Sequence, residues 1–202
     1  MNFSSSDACK YIKGDPGVGK TSVVQMFTSD GREFPKNYNM TFGVDLYLKR
    51  YTVPESKNIV EMLIYDCAGL DIYVDYLQQC WDRVDGAVLV YDVTAPVTLQ
   101  SVGDWASLAG PAGHTPPAAV LANKTDLSHR RIVTAEAGQL AAEKLGLRHF
   151  EASAKEHTGV TEVFGWLARQ LHTGWSTTGV RPSYNSLHKS VLRSSLSNSS
   201  LK

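Results

Sequence analysis

Two kinds of segment alternate along this chain, and their alternation predicts an α/β fold. Continuous apolar runs at 86–92 and 118–122 are typical of buried parallel strands. The pattern at 44–52 alternates instead, and a turn at 54–56 joins it to a second strand, which predicts an antiparallel pair. The remaining predicted elements are strands at 8–13, 58–65 and 145–150 and helices at 20–29, 97–108, 134–145 and 159–173. We therefore expect a six-stranded, mostly parallel sheet with one antiparallel edge strand, helices on both faces and ligand loops at the carboxyl ends of the strands.

A glycine-rich loop separates the first strand from the first helix. Its residues fit the pattern G-x-x-x-x-G-K-[ST] and are Gly14, Asp15, Pro16, Gly17, Val18, Gly19, Lys20 and Thr21. Glycines let the backbone curl with its N–H groups turned inward, towards a polyphosphate. We expect Lys20 to contact the β- and γ-phosphates and the Thr21 hydroxyl to bind Mg²⁺, beside the positive end of the helix dipole. The alternative is a glycine-rich turn that merely precedes a helix.

Two later loops, each following an apolar strand, predict that the base is guanine. In Asn123-Lys124-Thr125-Asp126, the Asp126 carboxylate can accept two hydrogen bonds from the N1–H and N2–H₂ edge of guanine, and adenine offers no matching pair. Asn123 can reach the other edge of the base, and the Lys124 stem can lie along the nucleoside. The second loop, Ser153-Ala154-Lys155, would place the Ala154 amide near the guanine O6; taken alone, it is better explained as an ordinary polar loop.

Two further segments predict contacts with the γ-phosphate and its metal. Asp66 ends a strand and can hold a Mg²⁺-bound water, and the Gly69 amide is free to approach the γ-phosphate. Thr41 precedes an amphipathic strand and is a candidate second hydroxyl ligand for Mg²⁺, although a lone loop threonine is usually solvated. Phe34 either stacks on the guanine face or serves as a small packing anchor.

With these motifs in order, residues 8–173 resemble the Ras-like small GTPases, and among them the Rab branch. The Rab-like segments are 42–46, Thr98-Leu99 and Trp105. The resemblance implies the G-domain fold of the P-loop NTPases, with GTP or GDP and Mg²⁺ as cofactors. The residues it implies for nucleotide contact are Gly14, Asp15, Gly17, Val18, Gly19, Lys20, Thr21, Ser22, Phe34, Thr41, Asp66, Gly69, Asn123, Lys124, Asp126, Ser153, Ala154 and Lys155. Among these, Thr21, Thr41 and (through water) Asp66 would bind the metal.

Shorter stretches are similar to the Rab-like GTPase of the intraflagellar transport B complex. They are 29–31, 34–38 and Val53-Pro54. This narrower resemblance implies a small β-sandwich subunit of the same complex as a partner, and a cilium or flagellum as a location.

Composition is consistent with one globular domain. Of 202 residues, 43% are hydrophobic, and the formal net charge is zero, which argues against a general nucleic-acid binder. The three cysteines are scattered and no membrane-length apolar run is present, so a cytoplasmic protein with reduced thiols is expected. We predict a short N-terminal tail (1–7), a G domain (8–173) and a serine-rich, basic tail (174–202).

The predicted tail contains no acidic residue and no cysteine. We expect it to be largely disordered, because it has few apolar residues with which to build a core. The alternative is a short docking or phosphorylation segment that uses Leu187, Val191, Leu192 and Leu196. Because Rab proteins are typically prenylated on C-terminal cysteines, we expect no prenyl membrane anchor here.

Two departures from the Ras-like pattern concern hydrolysis rather than binding. Leu70 occupies the position of the glutamine that orients the attacking water, and a leucine side chain can neither donate nor accept a hydrogen bond. Pro16 replaces a small residue of the phosphate loop, where its ring would crowd an incoming arginine finger. No catalytic residue is therefore certain, and we expect GTP binding with slow intrinsic turnover.

A third departure concerns the first strand. Lys10 and Lys13 interrupt a segment that should be almost entirely apolar in a central parallel strand. We expect either a short, frayed strand or an imperfect sequence at this point, with weaker support for the phosphate loop.

Two functions of different class follow from these predictions. The first is a GTP-dependent interaction subunit in intraflagellar transport, with weak hydrolysis. The second is a conventional cycling Rab-type GTPase in vesicle traffic. A pseudo-GTPase that folds around GDP without switching is a minor third possibility, against which the intact Lys20, Thr21, Thr41 and Asp66 argue.

Overall fold

The computed structural model describes residues 6–69, 84–108 and 116–178. Leu70 and residues 179–202, which include most of the predicted serine-rich tail, lie outside the described residues. The elements are β1 (Ser6–Lys13), α1 (Lys20–Thr28), β2 (Val44–Thr52), β3 (Ile59–Cys67), β4 (Gly86–Asp92), α2 (Pro96–Gln100), α3 (Val102–Ser107), β5 (Ala118–Asn123), α4 (Ala135–Lys144), β6 (Arg148–Glu151) and α5 (Val160–Thr178). A short 3₁₀ turn at Ser128–Arg130 follows β5.

The six strands form one sheet in the order β2-β3-β1-β4-β5-β6. Only β2 and β3 pair antiparallel, and the other described pairs are parallel, which confirms the predicted fold class. β4 and β5 are buried at every position, as their uninterrupted apolar sequences predict.

Helices cover both faces of this sheet. On one face, α1 and α5 pack against Val88 and Val90, with Phe27 stacked on Phe164 at a centroid distance of 4.0 Å. On the other face, α3 and α4 pack against the alternate positions of the same strand. The carboxyl ends of β1, β3, β5 and β6 therefore lie at one edge of the sheet, and the predicted motifs follow those ends.

The expectation of a short, frayed first strand is wrong. β1 is central and pairs with β3 from Ser6 to Ile12 and with β4 from Lys10 to Lys13. Lys10 and Lys13 are 0% and 1% exposed. The Lys13 ammonium group reaches the end of α3, where it donates a hydrogen bond to the Leu108 carbonyl oxygen at 2.5 Å. A lysine stem can fill apolar space when its charged end finds an acceptor, and the strand is regular for that reason.

The single helix predicted at 97–108 is two helices, α2 and α3, which are separated at Ser101. The Ser101 hydroxyl donates to the Val97 carbonyl oxygen one turn earlier, an arrangement that commonly bends helices. The second of the two helices, α3, carries the buried Trp105.

Candidate nucleotide-binding site

The phosphate loop connects β1 directly to α1 and depends on its glycines. Gly14 and Gly19 have φ values of 143° and 95°, which side chains rarely adopt. A Cβ on Gly14 would also lie 2.2 Å from the Val90 carbonyl oxygen, and one on Gly19 would lie 2.5 Å from Asn123 Nδ2. Helix α1 begins at Lys20 without a side-chain cap, so its first N–H groups are available to an anionic ligand.

The Lys20 ammonium group is held inside this loop. It donates hydrogen bonds to the carbonyl oxygens of Gly14 at 2.7 Å and Asp15 at 2.9 Å. Burial lowers the pKa of Lys20, and the negative charges of Asp66, Cys67 and Asp15 act in the opposite direction. The charge is therefore fixed in position before any ligand binds.

Thr21, Thr41 and Asp66 come together although they lie far apart in the sequence. The Thr21 hydroxyl donates to Asp66 Oδ2 at 2.6 Å, the Thr41 hydroxyl lies 3.4 Å from the same oxygen, and the two hydroxyl oxygens are 3.1 Å apart. Burial raises the pKa of Asp66 to about 6, while hydrogen bonds from Thr21 and Thr41 and the Lys20 charge lower it. Two hydroxyls and one carboxylate thus share a small, largely buried volume.

This group of oxygens fits a hard divalent cation such as Mg²⁺. Asp66 is 0% exposed, and its Oδ1 atom accepts no hydrogen bond from the described residues. A buried carboxylate oxygen without a donor is costly unless a cation or an ordered water satisfies it. Oxygen donors are also the ligands that Mg²⁺ prefers.

Asn123 connects the phosphate loop to the predicted base-binding loop. Its Nδ2 atom donates to the Val18 carbonyl oxygen at 2.9 Å, and its Oδ1 atom accepts from the Ala154 amide at 3.1 Å. The side chain is 1% exposed. In this arrangement the Ala154 amide, predicted to face the guanine O6, is bonded to Asn123.

Asp126 is half-buried and is oriented by the neighbouring loop. Its Oδ1 atom accepts a hydrogen bond from the Ser153 hydroxyl at 2.6 Å, and Ser153 is itself 0% exposed. Because the carboxylate is a rigid planar group, this hydrogen bond also restricts the position of its Oδ2 atom. Lys155, the third residue of that predicted loop, is exposed.

A cleft of about 290 Å³ lies beside the phosphate loop. Phe34 is on its wall and is 43% exposed. The predicted residues that line the cleft are Pro16, Gly17, Gly19, Lys20, Thr21, Ser22, Phe34, Thr41, Gly69 and Lys124. Gly69 faces the loop so closely that a Cβ there would lie 2.6 Å from Lys20 Nζ and 2.7 Å from the Gly14 carbonyl oxygen. The structure therefore brings the strand-end segment 66–69 against the phosphate loop.

Two contacts of this region were not anticipated from the sequence. Asp92 ends β4 and pairs with Lys124 at 2.6 Å; burial alone would raise its pKa, but hydrogen bonds from Lys124 and Thr94 lower it. Trp105 donates its indole N–H to Asp15 Oδ1 at 2.7 Å. The position of Asp92 at a strand end is a signal that sequence reasoning could have used. No local pattern indicates the contact of Trp105 with a residue 90 positions earlier.

Within the described ranges, no helix combines the length and apolar character needed to cross a membrane.

Comparison with known proteins agrees with this geometry. Residues 11–173 match the Ras family. The intraflagellar transport protein 27 homolog of Bos taurus is 40% identical over 163 residues, which is 80% of this chain and 88% of that protein. Intraflagellar transport protein 27 of Chlamydomonas reinhardtii is 38% identical over 136 residues, or 65% of this chain and 67% of that protein. The Ras-related protein RabC of Dictyostelium discoideum is 31% identical over 181 residues, or 89% and 91% of the two chains. The chain therefore belongs to the Ras family and is a Rab-like small GTPase by sequence.

Proposed function

We propose that this chain binds GTP and GDP with Mg²⁺ in the cleft beside the phosphate loop. Membership of the Ras family implies guanine-nucleotide binding. The observation that carries the proposal is the meeting of Thr21, Thr41 and Asp66 next to Lys20, because these residues are brought together from three separate segments. In a purely structural polar cluster, each buried acceptor would have a hydrogen-bond donor. Within the described residues, Asp66 Oδ1 has none.

The individual roles follow from chemistry and position. Lys20 and the amides of 14–19 would hold the β- and γ-phosphates, and Thr21 and Thr41 would bind the metal directly, with Asp66 acting through water. Bound Mg²⁺ supplies charge neutralisation to the phosphates. Asp126 would accept from guanine, Asn123 and Ala154 would face its other edge, and the Lys124 stem would line the nucleoside. Phe34, Ser22, Ser153 and Lys155 complete the contacts that we propose.

We propose that hydrolysis by this chain is slow. Leu70 has no group that can orient a water molecule, and Pro16 lines the cleft where a partner's arginine would enter. A long-lived GTP state would keep Thr41 and Gly69 near the γ-phosphate, and two segments would be ordered for a partner to recognise. The protein would then act as a GTP-dependent interaction subunit.

The setting that we propose is intraflagellar transport. Relatives named intraflagellar transport protein 27 span mammals, an alga and a trypanosome at 33–40% identity. On this basis we propose that the chain belongs to a complex of that pathway. The small β-sandwich subunit that we propose as its partner rests on the resemblance of segments 29–31, 34–38 and Val53-Pro54. Its location would be the cytoplasm and the cilium or flagellum, without nucleic acid as a partner.

A conventional cycling Rab-type GTPase is the second candidate. The similarity to RabC over 181 residues favours it. The two functions differ in the rate of hydrolysis and in the proteins that accompany the chain.

Single-turnover hydrolysis of pre-bound GTP separates them. Purified wild type is compared with Leu70→Gln, after the bound nucleotide has been identified by chromatography. We expect wild type to hydrolyse slowly and the variant to be faster, because glutamine can orient the attacking water. Rapid hydrolysis by wild type would contradict the slow-turnover proposal and favour the cycling enzyme.

Co-purification tests the assignment to a complex. The tagged full-length chain is isolated from ciliated cells with a GTP analogue or with GDP present. We expect a stable set of transport-complex subunits, including a small β-sandwich protein. Recovery only with vesicle tethers and prenyl-binding chaperones would overturn this assignment.

A further inference from the structure

The carboxylate of Asp15 lies in an unfavourable place for a phosphate-binding loop. Its residue precedes Pro16 in the loop and packs against Gly69, where a Cβ would lie 2.7 Å from the Asp15 carbonyl carbon. A carboxylate that turned towards bound phosphates would repel them, since like charges at short distance disfavour each other. The direction of this carboxylate therefore matters to phosphate binding.

The Asp15 side chain is held by the indole of Trp105. Nε1 donates to Oδ1 at 2.7 Å. An indole N–H is a donor only, so it favours an acceptor such as a carboxylate and offers no alternative pairing. The main chain of Asp15 is held separately, because its carbonyl oxygen accepts a hydrogen bond from Lys20 at 2.9 Å. Both ends of the residue are therefore fixed, the main chain from inside the loop and the side chain from α3.

The indole is itself fixed by packing. Trp105 is 6% exposed and belongs to the apolar cluster on the α3 and α4 face of the sheet, with Leu89, Val102 and Val120. The end of α3 is also held against β1 by the Lys13 hydrogen bond to Leu108. Helix α3 thus contacts the segment 13–15 at two points, and the direction of the Trp105 N–H depends on the core rather than on solvent.

We propose that Trp105 is a positioning residue of the nucleotide site, which keeps the Asp15 carboxylate directed towards α3 and away from the phosphates. This inference rests on the proposed function, since it concerns the same phosphate loop. Its effect is on the preference for triphosphate over diphosphate, because Asp15 lies next to Gly69, the residue proposed to face the γ-phosphate.

The test measures the affinity of the full chain for GDP and for a non-hydrolysable GTP analogue in the presence of Mg²⁺. Trp105→Phe keeps an aromatic ring in the core and removes the N–H donor. We expect it to lower the ratio of GTP-analogue to GDP affinity by about tenfold, the lower end of the contribution of a hydrogen bond to a charged group. In an Asp15→Ala background, Trp105→Phe should leave that ratio where Asp15→Ala alone places it.

A matched control separates positioning from packing. Val102→Ala removes buried volume from the same helix and the same apolar cluster but keeps both the Trp105 N–H donor and its Asp15 acceptor. We expect it to lower stability without changing the affinity ratio. Equal changes of the ratio in Val102→Ala and Trp105→Phe would overturn the proposal.

A second variant keeps the test independent of the folding of Trp105→Phe. Asp15→Glu retains the charge and moves it one methylene beyond the indole N–H, and we expect the ratio to fall as in Trp105→Phe. If wild type binds neither nucleotide, the proposed function fails and this inference fails with it. If wild type binds both and the ratio is unchanged in Trp105→Phe and Asp15→Glu, only the positioning role of Trp105 is overturned.

Discussion

The Lys13 ammonium group donates a hydrogen bond to the Leu108 carbonyl oxygen at 2.5 Å, from inside the central strand of the sheet. Burial lowers the pKa of Lys13 from its ordinary 10.5 to about 8, against a raising effect of Cys67. Above pH 8 the folded protein therefore releases a proton from this site, while the unfolded chain keeps it up to about 10.5. The unfolded state binds more protons in that window, so the contribution of Lys13 to stability rises with pH.

This linkage predicts a pH dependence that Lys13→Met removes. Between pH 8 and pH 10, the free energy of unfolding of wild type should rise relative to that of the variant, by at most about 3 kcal/mol. Lys20 has a lowered pKa too, but it contributes equally to both proteins. Urea unfolding at several pH values measures the difference. Parallel curves for the two proteins would show that burial of Lys13 does not shift its titration.

The hydrogen bond from Thr21 to Asp66 predicts that substitution of Thr21 makes nucleotide binding less dependent on Mg²⁺. In wild type, chelation of Mg²⁺ should accelerate GDP release strongly. Thr21→Val lacks the hydroxyl ligand, so we expect affinity at least about tenfold weaker with Mg²⁺ present, which is the effect of a lost charge-assisted contact. Chelation should then change the release rate little.

A matched control lies on the same helix. The Thr28 hydroxyl donates to the carbonyl oxygens of Val24 and Gln25 within α1. Thr28→Val should therefore retain the wild-type response to chelation. If chelation accelerated GDP release from Thr21→Val as strongly as from wild type, Thr21 would not be a metal ligand.

The carboxylate of Asp126 predicts the choice of base. Asp126→Asn places an amide donor against the donors of guanine, and we expect GDP affinity to fall at least about a hundredfold, as for an unmatched polar group in a specific site. A xanthine nucleotide, which carries a carbonyl in place of the amino group, should bind the variant better than it binds wild type. Competition titrations measure both effects. The exposed Asp104, changed to Asn, is the control and should leave the base preference intact.

The close approach of Gly69 to the phosphate loop predicts that even a methyl group is harmful there. In Gly69→Ala the added carbon would meet main-chain atoms of Gly14 and Asp15 at 2.7 Å, so the loop itself must shift. We expect weaker binding of the GTP analogue, with a smaller effect on GDP. Gly103→Ala is the comparison, since no atom of the described residues, apart from its chain neighbours and its own helix backbone, lies within 4 Å of its Cβ position. It should be neutral or stabilising by about 0.5–1 kcal/mol, the usual gain from alanine within a helix. Equal binding by the two variants would contradict the assignment of Gly69.

Local pattern was sufficient for most of the fold. The apolar runs of β4 and β5 predict burial at every position, and the structure confirms it. Local pattern was less accurate for β2, where burial changes face after Leu46 and Leu48 is 57% exposed. It failed for β1, where the sequence shows a lysine but not the distant carbonyl that accepts its hydrogen bond. It also missed the break at Ser101. That break depends on whether the Ser101 hydroxyl donates to solvent or to the Val97 carbonyl oxygen of its own helix.

For the candidate site, as for the fold, local sequence was informative and long-range contacts were not predicted. Motif spacing predicted that Lys20, Thr21 and Asp66 belong to one site, and the structure places Thr21 within 2.6 Å of Asp66. The hydrogen bond of Trp105 to Asp15 and the bridge of Asn123 between Val18 and Ala154 depend on tertiary contacts, and no local pattern encodes them. Sequence therefore predicted which side chains lie together at the strand ends better than it predicted the contacts that hold them there.

The bridge made by Asn123 joins three segments that leave the ribosome at different times. A nascent chain completes its phosphate loop at Thr21, when most of the protein has yet to be translated. The Val18 carbonyl oxygen finds its donor, Asn123, only 105 positions later, and Asn123 accepts from the Ala154 amide, which is 31 positions further on. A fragment that ends before Ala154 would have a phosphate loop without the complete bridge to the base loop, so we expect it to bind GDP more weakly than the whole chain does.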